Sequence, residues 1–304
     1  MKPGQYGNIG SNSASQYNGF IGGNPKLQPE KSDTYSLGLV VQPHWVENLV
    51  VSLDYFNIKV KNTIGPIGAD TILAQCVATG DPIFCSGIHR DNNGSLWRTN
   101  DGFVGDLNVN FGSLSTRGID AKADYRLPLQ GLGSVAFSLE GTKLISLNTQ
   151  PLTNGPSYNC AGYFGVTCGA SNPGWRHVLN TTWATPWDGL DVVVRWRYLG
   201  AAKSEQFDSS PSLAGNPFPP TGNIPAYNYI DMSAMFNLYK GVRLQVGVNN
   251  IADKDPPIVV SGGGGYNSDC PAITPNGSSC NGNTFPGTYD ALGRFIFAHV
   301  SAQF

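Results

Sequence analysis

Most of this chain alternates apolar and polar residues with a period of two, and it does so in runs too long for an ordinary globular sheet. Tyr35, Leu37, Leu39 and Val41 alternate with Thr34, Ser36 and Gly38, and Ile119, Ala121, Ala123 and Tyr125 with Asp120, Lys122, Asp124 and Arg126. The same rhythm returns in Val192, Val194, Trp196 and Tyr198 against Arg195 and Arg197. It returns again in Val242, Leu244, Val246 and Val248 against Arg243, Gln245 and Asn249, and in Ile296, Ala298, Val300 and Ala302 against His299 and Ser301. Successive side chains of a strand point to opposite faces, so a period of two is the mark of a sheet with two unlike faces. The pattern predicts nine strands, near 32–42, 49–61, 103–127, 133–146, 174–186, 190–202, 226–238, 242–251 and 288–304. Most match or exceed the roughly 9–11 residues a tilted strand needs to cross a bilayer, against a usual 5–6 in globular sheets. No stretch competes as an amphipathic helix.

The connections sort by parity. Residues 43–48, 128–132, 187–189 and 239–241 are tight turns, whereas 62–102, 147–173, 203–225 and 252–287 are long. Short turns at one end and long loops at the other are what an antiparallel up-and-down transmembrane β-barrel shows, with periplasmic turns and extracellular loops. The expected fold is therefore all-β, a fragment of such a barrel with about nine long strands. Residues 1–30 are expected to be a partial extracellular loop segment and 31–304 the C-terminal part of the barrel. Composition agrees: only 13% of residues are Asp, Glu, Lys or Arg, about half the usual share. No run approaches the roughly 18 apolar residues of a membrane-spanning helix, so any spanning elements are strands. Tyr35, Trp45, Tyr125, Trp183, Trp187, Tyr239 and Phe304 gather near the short-turn ends, where an interfacial aromatic girdle would lie.

A formal net charge of -2 gives no basic excess to compensate phosphates, and nucleic acid is excluded as the main partner. The six cysteines fall as three local pairs, Cys76 and Cys85, Cys160 and Cys168, Cys270 and Cys280, each inside a long connection. Fifteen pairings are open to six cysteines, but three local pairs in three loops are most simply three loop-stapling disulfides formed in an oxidising compartment. No CxxC occurs and His44, His89, His177 and His299 are scattered, so a zinc site has no support. Nucleophile elbow, HExxH, P-loop and dinucleotide motifs are absent in usable contexts, and neither enzymatic activity nor a cofactor is expected. Asp91-Asn92-Asn93-Gly94-Ser95 faintly suggests a calcium loop, but its Gly falls too early for the EF-hand pattern and a turn is the simpler reading. Candidate ligand contacts are the loop aromatics Trp97, Tyr158, Tyr163, Phe164, Phe207, Phe218 and Tyr266, flat rings able to stack on a sugar or an aromatic chelator. For any single one of them, packing loop on loop is the simpler role.

Several local sequences then resemble the TonB-dependent receptor family. Gly23-Asn24-Pro25-Lys26-Leu27-Gln28-Pro29-Glu30-Lys31-Ser32 resembles its N-P-x-L-x-P-E-x-S element, and Asn110 to Asp120 resembles its N-x-G-x-x-x-x-G-[IV]-[ED] strand, with Asp120 where Glu is more usual. Val248-Asn249-Asn250-Ile251-Ala252-Asp253-Lys254 resembles the exit from the penultimate strand, and Tyr289 to Phe304 the final strand with its terminal aromatic. The resemblance implies an outer-membrane receptor of a Gram-negative bacterium: a barrel occluded by an N-terminal plug that imports a scarce nutrient, such as a siderophore or carbohydrate, with energy passed through TonB. It implies as partners the outer-membrane lipid, the nutrient, the TonB complex through an N-terminal part, and the barrel-assembly machinery, for which Phe304 resembles the recognition signal. Nine strands and no plug or TonB-contacting segment depart from that pattern, and as such a fragment the chain is expected to be inactive in transport. The alternation also leaves open a secreted, soluble β-sheet binding module stapled by three loop disulfides.

Overall fold

A computed structural model describes residues 16–152, 155–165, 167–215, 222–239, 241–259 and 284–302. Nine long strands form one sheet: β1 (Lys31–Val41), β2 (Leu49–Gly65), β3 (Val109–Leu129), β4 (Gly133–Gln150), β5 (Trp175–Ala184), β6 (Leu190–Leu199), β7 (Tyr227–Tyr239), β8 (Val242–Asn249) and β9 (Phe295–Ala302). Their order in the sheet is their order in the chain, so each strand pairs with its sequence neighbours, and the path from β1 to β9 is open. The pairings from β4 through β9 are all antiparallel. The expected up-and-down arc is thus present, and the short and long connections alternate as the sequence implies.

The chain divides into two compact units, one of residues 1–33, 59–114 and 149–157 and the other of 34–58, 115–148 and 158–304. In the second unit the registers from β4 to β9 assign the strand side chains to faces. Leu139, Leu179, Trp196 and Ile230 lie in one cross-strand row, Phe137, Thr181, Val194, Met232, Val248 and Ile296 in the next, and Val135, Trp183, Val192, Ala234, Val246 and Ala298 in a third. The opposite face carries Glu140, Val178, Arg197 and Tyr229 in one row and Ser138, Asn180, Arg195 and Asp231 in another. Apolar side chains on the first face stay uncovered, with Val300 63% and Ile296 73% exposed. The turn between β5 and β6 shows how the short connections are made. Thr185 donates its hydroxyl to the Leu190 carbonyl at 2.7 Å, and Gly189 adopts φ 79°, where a Cβ would lie 3.2 Å from the Asn237 carbonyl.

The first unit departs from expectation. Residues 62–102 are not featureless loop: Ala69–Thr79 forms helix α1 and Pro82–Cys85 a one-turn helix α2. Asp70 sits in the first turn of α1, where a carboxylate complements the helix dipole, and Gly80 at φ 65° closes the other end with its N–H on the Cys76 carbonyl. Only Ile72 of α1 is buried, so the apolar stripe that marks an amphipathic helix is almost missing. The run expected at 103–127 is two strands. Phe103–Leu107 leaves the main sheet and pairs in parallel with Gly19–Gly22 and antiparallel with Ile88–His89, while β3 starts at Val109. Val104, with no exposed surface, Ile72 and Leu96 make this unit's small core. Within 1–30, therefore, Gly19–Gly22 is strand. The last strand begins at Phe295 rather than 288, because Tyr289 and Asp290 are held elsewhere, as described next.

Candidate functional site

The polar face of the second unit converges on Arg197. Its register partner on β7 is Tyr229, whose ring lies under the guanidinium at 4.8 Å. Arg197 donates from Nε and Nη2 to the two Asp231 oxygens at 2.8 and 2.9 Å, and from Nη1 and Nη2 to the two Asp290 oxygens at 2.8 and 2.6 Å. One cation thus clamps two carboxylates in the paired geometry that a guanidinium favours. The clamp is braced from behind. Asp231 Oδ1 also accepts the Asn250 N–H at 2.8 Å, the Tyr229 hydroxyl accepts the Asp290 N–H at 3.3 Å, and Tyr289, 1% exposed, donates its hydroxyl to Ser171 Oγ at 3.2 Å. Burial pushes the Tyr289 hydroxyl pKa up, against the opposing effect of Ser171. Segment 284–294 is thereby fastened to the strand wall, which is why no strand starts at 288.

The motif residues quoted above build these turns. Asn250, with no exposed surface and φ 50°, donates from its amide to the Lys254 carbonyl and accepts the Lys254 N–H, both at 2.9 Å, while Asp253 accepts the Arg294 N–H at 2.8 Å. In the first unit, the Asn110 amide donates to the carbonyls of Gln28 and Asn62 at 2.7 and 2.9 Å, and Glu30 accepts the Ile64 N–H at 2.7 Å. Below the clamp, on the same polar face, a cavity of about 550 Å³ is lined by Asp54, Asp120, Lys122, Glu140, Arg176 and Arg197 among others. Lys122 reaches Glu140 at 3.2 Å and Asp124 at 3.8 Å, and Asp120 accepts from the Thr142 hydroxyl at 2.7 Å. A wall of this kind is polar, charged on both signs and unsuited to packing against apolar neighbours.

The loop aromatics fare differently from one another. Phe164 is 1% exposed and packs edge-on against Phe285 at 5.8 Å inside a cluster with Ile224, Tyr227 and Tyr289, so its ring is spent on packing and offers no face to a ligand. Tyr163 precedes it on a two-residue strand parallel to Lys203 and Ser204; burial and a bond to Asp208 push its hydroxyl pKa up. Tyr158 sits on a two-residue strand paired with β4, half-buried, and Phe207 is 43% exposed on a short 3₁₀ turn. Trp97 belongs to the first unit and packs on its core. Phe218, Tyr266, Cys270, Cys280 and Phe304 lie outside the described residues. Two of the three expected disulfides are present, Cys76–Cys85 and Cys160–Cys168.

The faint calcium loop is a turn. Asp91, 6% exposed, accepts from the backbone of Asn93 and Ser95 at 2.9 and 2.8 Å and from the Ser95 hydroxyl at 2.8 Å. Burial pushes the Asp91 pKa up, but these donors outweigh it and hold the carboxyl below its ordinary value. Its lone pairs are taken by N–H and O–H groups rather than turned to a cation. Among the described residues no group of three or more His, Cys, Asp or Glu is placed to hold a metal.

Residues 1–251 match the family described as TonB dependent receptor-like, beta-barrel. The chain belongs to the TonB-dependent receptor family. Members of that family are transporters of the Gram-negative outer membrane that bind siderophores and TonB. No curated protein matches the sequence. Among solved structures, this chain is similar to a ferric enterobactin receptor mutant from Pseudomonas aeruginosa in complex with enterobactin, with a TM-score of 0.56 and 17% identity over 95% of this chain and 34% of that one. It is also similar to a siderophore receptor from Acinetobacter baumannii, with a TM-score of 0.54 and 16% identity over 93% of this chain and 33% of that one. At such identities the likeness is one of fold, and the chain spans about a third of the length of these receptors.

Proposed function

We propose that the chain forms the C-terminal arc of an outer-membrane receptor barrel that takes up a scarce nutrient, a siderophore or a compound handled alike, with energy supplied through TonB. The observation that carries this is the sorting of the sheet's faces: register places Phe137, Val194, Met232, Val246 and Val300 on one face and Glu140, Arg195, Arg197, Asp231 and Arg243 on the other. The first face suits lipid and the second a water-filled lumen. In this reading Trp183 and Trp187, 6.0 Å apart beside the β5–β6 turn, belong to the periplasmic aromatic girdle, and the loops carrying both disulfides face the outside. The open path from β1 to β9 means that transport needs further strands and a plug from the same receptor, which is also the part that meets TonB. Assembly calls on the barrel-assembly machinery, with Phe304 as its signal.

The reading is tested by expressing the protein in a Gram-negative host and separating the membranes by density. Recovery in the outer membrane, resistant to urea extraction, with the long loops cut by external protease and the short turns spared, is the expected result. A monodisperse species in plain buffer that unfolds cooperatively would replace it with the soluble binding module.

A further inference from the structure

The chain as a whole carries a formal charge of -2, yet one small area is strongly cationic. Lys61 Nζ lies 2.6 Å from Asp33 Oδ2, so these side chains, on β2 and β1, share a face. Alternation along each strand then brings Lys59 to the side of Lys61 and Lys31 to the side of Asp33. Three ammonium groups therefore stand around one carboxylate, all within the first unit. Lys59 acts on Asp33 through space, but neither Lys59 nor Lys31 forms an ion pair among the described residues. The next carboxylate along the chain, Glu30, is spent on the Ile64 N–H at 2.7 Å. The Asp33 and Lys61 side chains are 50% and 53% exposed, and Lys31 and Lys59 are exposed as well.

The place of this cluster on its strand decides what it faces. By the same alternation Lys31 and Asp33 belong to the row of Tyr35, Leu37, Leu39 and Val41, the apolar row that stays uncovered. From Asp33 to Val41 a strand rising about 3.3 Å per residue runs about 26 Å, or about 20 Å of height at a tilt near 40°, against a lipid-facing band about 25 Å tall. Trp45, 85% exposed in the tight turn beyond Val41, marks the other border. From that turn β2 runs up to Lys59, Lys61 and the long connection after them, so in the proposed receptor the cluster lies at the outer end of the band. A cation excess at the border of an apolar band attracts lipid headgroups of negative charge, and long lysine side chains reach them from the wall. We propose that Lys31, Lys59 and Lys61 form a docking site for the phosphates of an outer-leaflet glycolipid. The inference rests on the receptor reading and deepens it by naming the class of lipid and its contacts.

The probes are bis-phosphorylated lipid A, the same lipid A with both phosphates removed, and inorganic phosphate. The full chain is purified in non-ionic detergent from the outer-membrane fraction of a Gram-negative host and washed free of host lipid. Binding is followed by thermophoresis at a fixed micelle concentration. Phosphorylated lipid A is expected to bind saturably, about tenfold more tightly than the dephosphorylated form, and to resist competition by a millimolar excess of inorganic phosphate. Lys31→Gln and Lys59→Gln should each weaken it about fivefold and the pair about twenty-fivefold, the scale of one lysine near a charged lipid surface. The charge-keeping pair Lys31→Arg/Lys59→Arg should bind as wild type does, and so should Lys203→Gln, outside the cluster. Equal affinity for the two forms of lipid A, undiminished binding by the Gln pair, or displacement by inorganic phosphate, the mark of a free-anion site, would each overturn the proposal. A protein that never reaches the outer membrane would overturn the receptor reading and this site with it, whereas recovery there without a phosphate preference would overturn the site alone.

Discussion

The two units of this protein follow opposite rules about where apolar surface goes. In the loop unit Val104, Ile72 and Leu96 are buried, a helix is closed at its C-terminal end by Gly80, a disulfide staples residues 76 and 85, and the Asp91 carboxylate ties its own turn. These are the devices by which a small aqueous domain offsets the entropy of ordering its chain. The strand wall does the reverse. Leu37 is 76% exposed, Val300 63% and Ile296 73%, while Asp231 is 7% exposed and bound to Arg197. In the proposed receptor this is the arrangement expected of a wall with lipid on its apolar side and water on its polar side.

The largest effect expected from breaking this contrast is at Val300, whose register partner Leu244 shares its face. Val300→Arg should destabilise the protein in bilayers by about 2–4 kcal/mol at midplane depth, whereas Ser301→Arg, one residue on and on the other face, should change stability little. Urea titrations of the two variants in vesicles check this, and equal losses would erase the distinction between faces. Next comes the loop unit. Removing Cys76–Cys85 as the Cys76→Ser/Cys85→Ser pair should cost about 2–3 kcal/mol in the chain-entropy model, felt as faster amide exchange in 69–107 with the β5–β9 exchange pattern unchanged.

Arg197→Met should then cost about 2 kcal/mol, less than for a fully buried ion pair because the guanidinium side chain is 25% exposed. It leaves Asp231 and Asp290 facing one another, so adding Asp290→Asn should recover part of the loss; a double variant no better than the single would mean that the clamp is not electrostatic. The smallest effect is in acid. The Asp91 carboxyl is held below its ordinary value in the folded state, so its contribution is complete above the unfolded value of about 3.9 and is lost as pH falls through the lower folded one. Protease cleavage within 88–102 should rise only in that acid window, and Asp91→Asn should flatten the profile.

The strands were legible because alternation is local: β2, β6, β7 and β8 begin within a residue of where the pattern puts them. What escaped was whatever depends on distant partners. Helix α1 buries one residue and so carries almost no periodic signal, and Phe20 sits in a four-residue strand whose partner lies more than eighty residues along the chain. Arg197 was recognisable as a polar-face residue, yet its bond to Asp290 spans 93 positions and pulls that residue out of a strand the local pattern would have extended. Phe164 shows the converse error, since a loop ring looks available until the loop's own core is known.

The account stands most directly on which side of the wall meets lipid. Spin labels placed singly at 296–302, with the protein in bilayers, report collisions with oxygen, which is enriched in lipid, and with a water-soluble nickel chelate. The account predicts strict alternation: high oxygen access at positions 296, 298, 300 and 302, and high nickel access at 297, 299 and 301. Nickel access of equal height at every position, or the opposite phase, would contradict it.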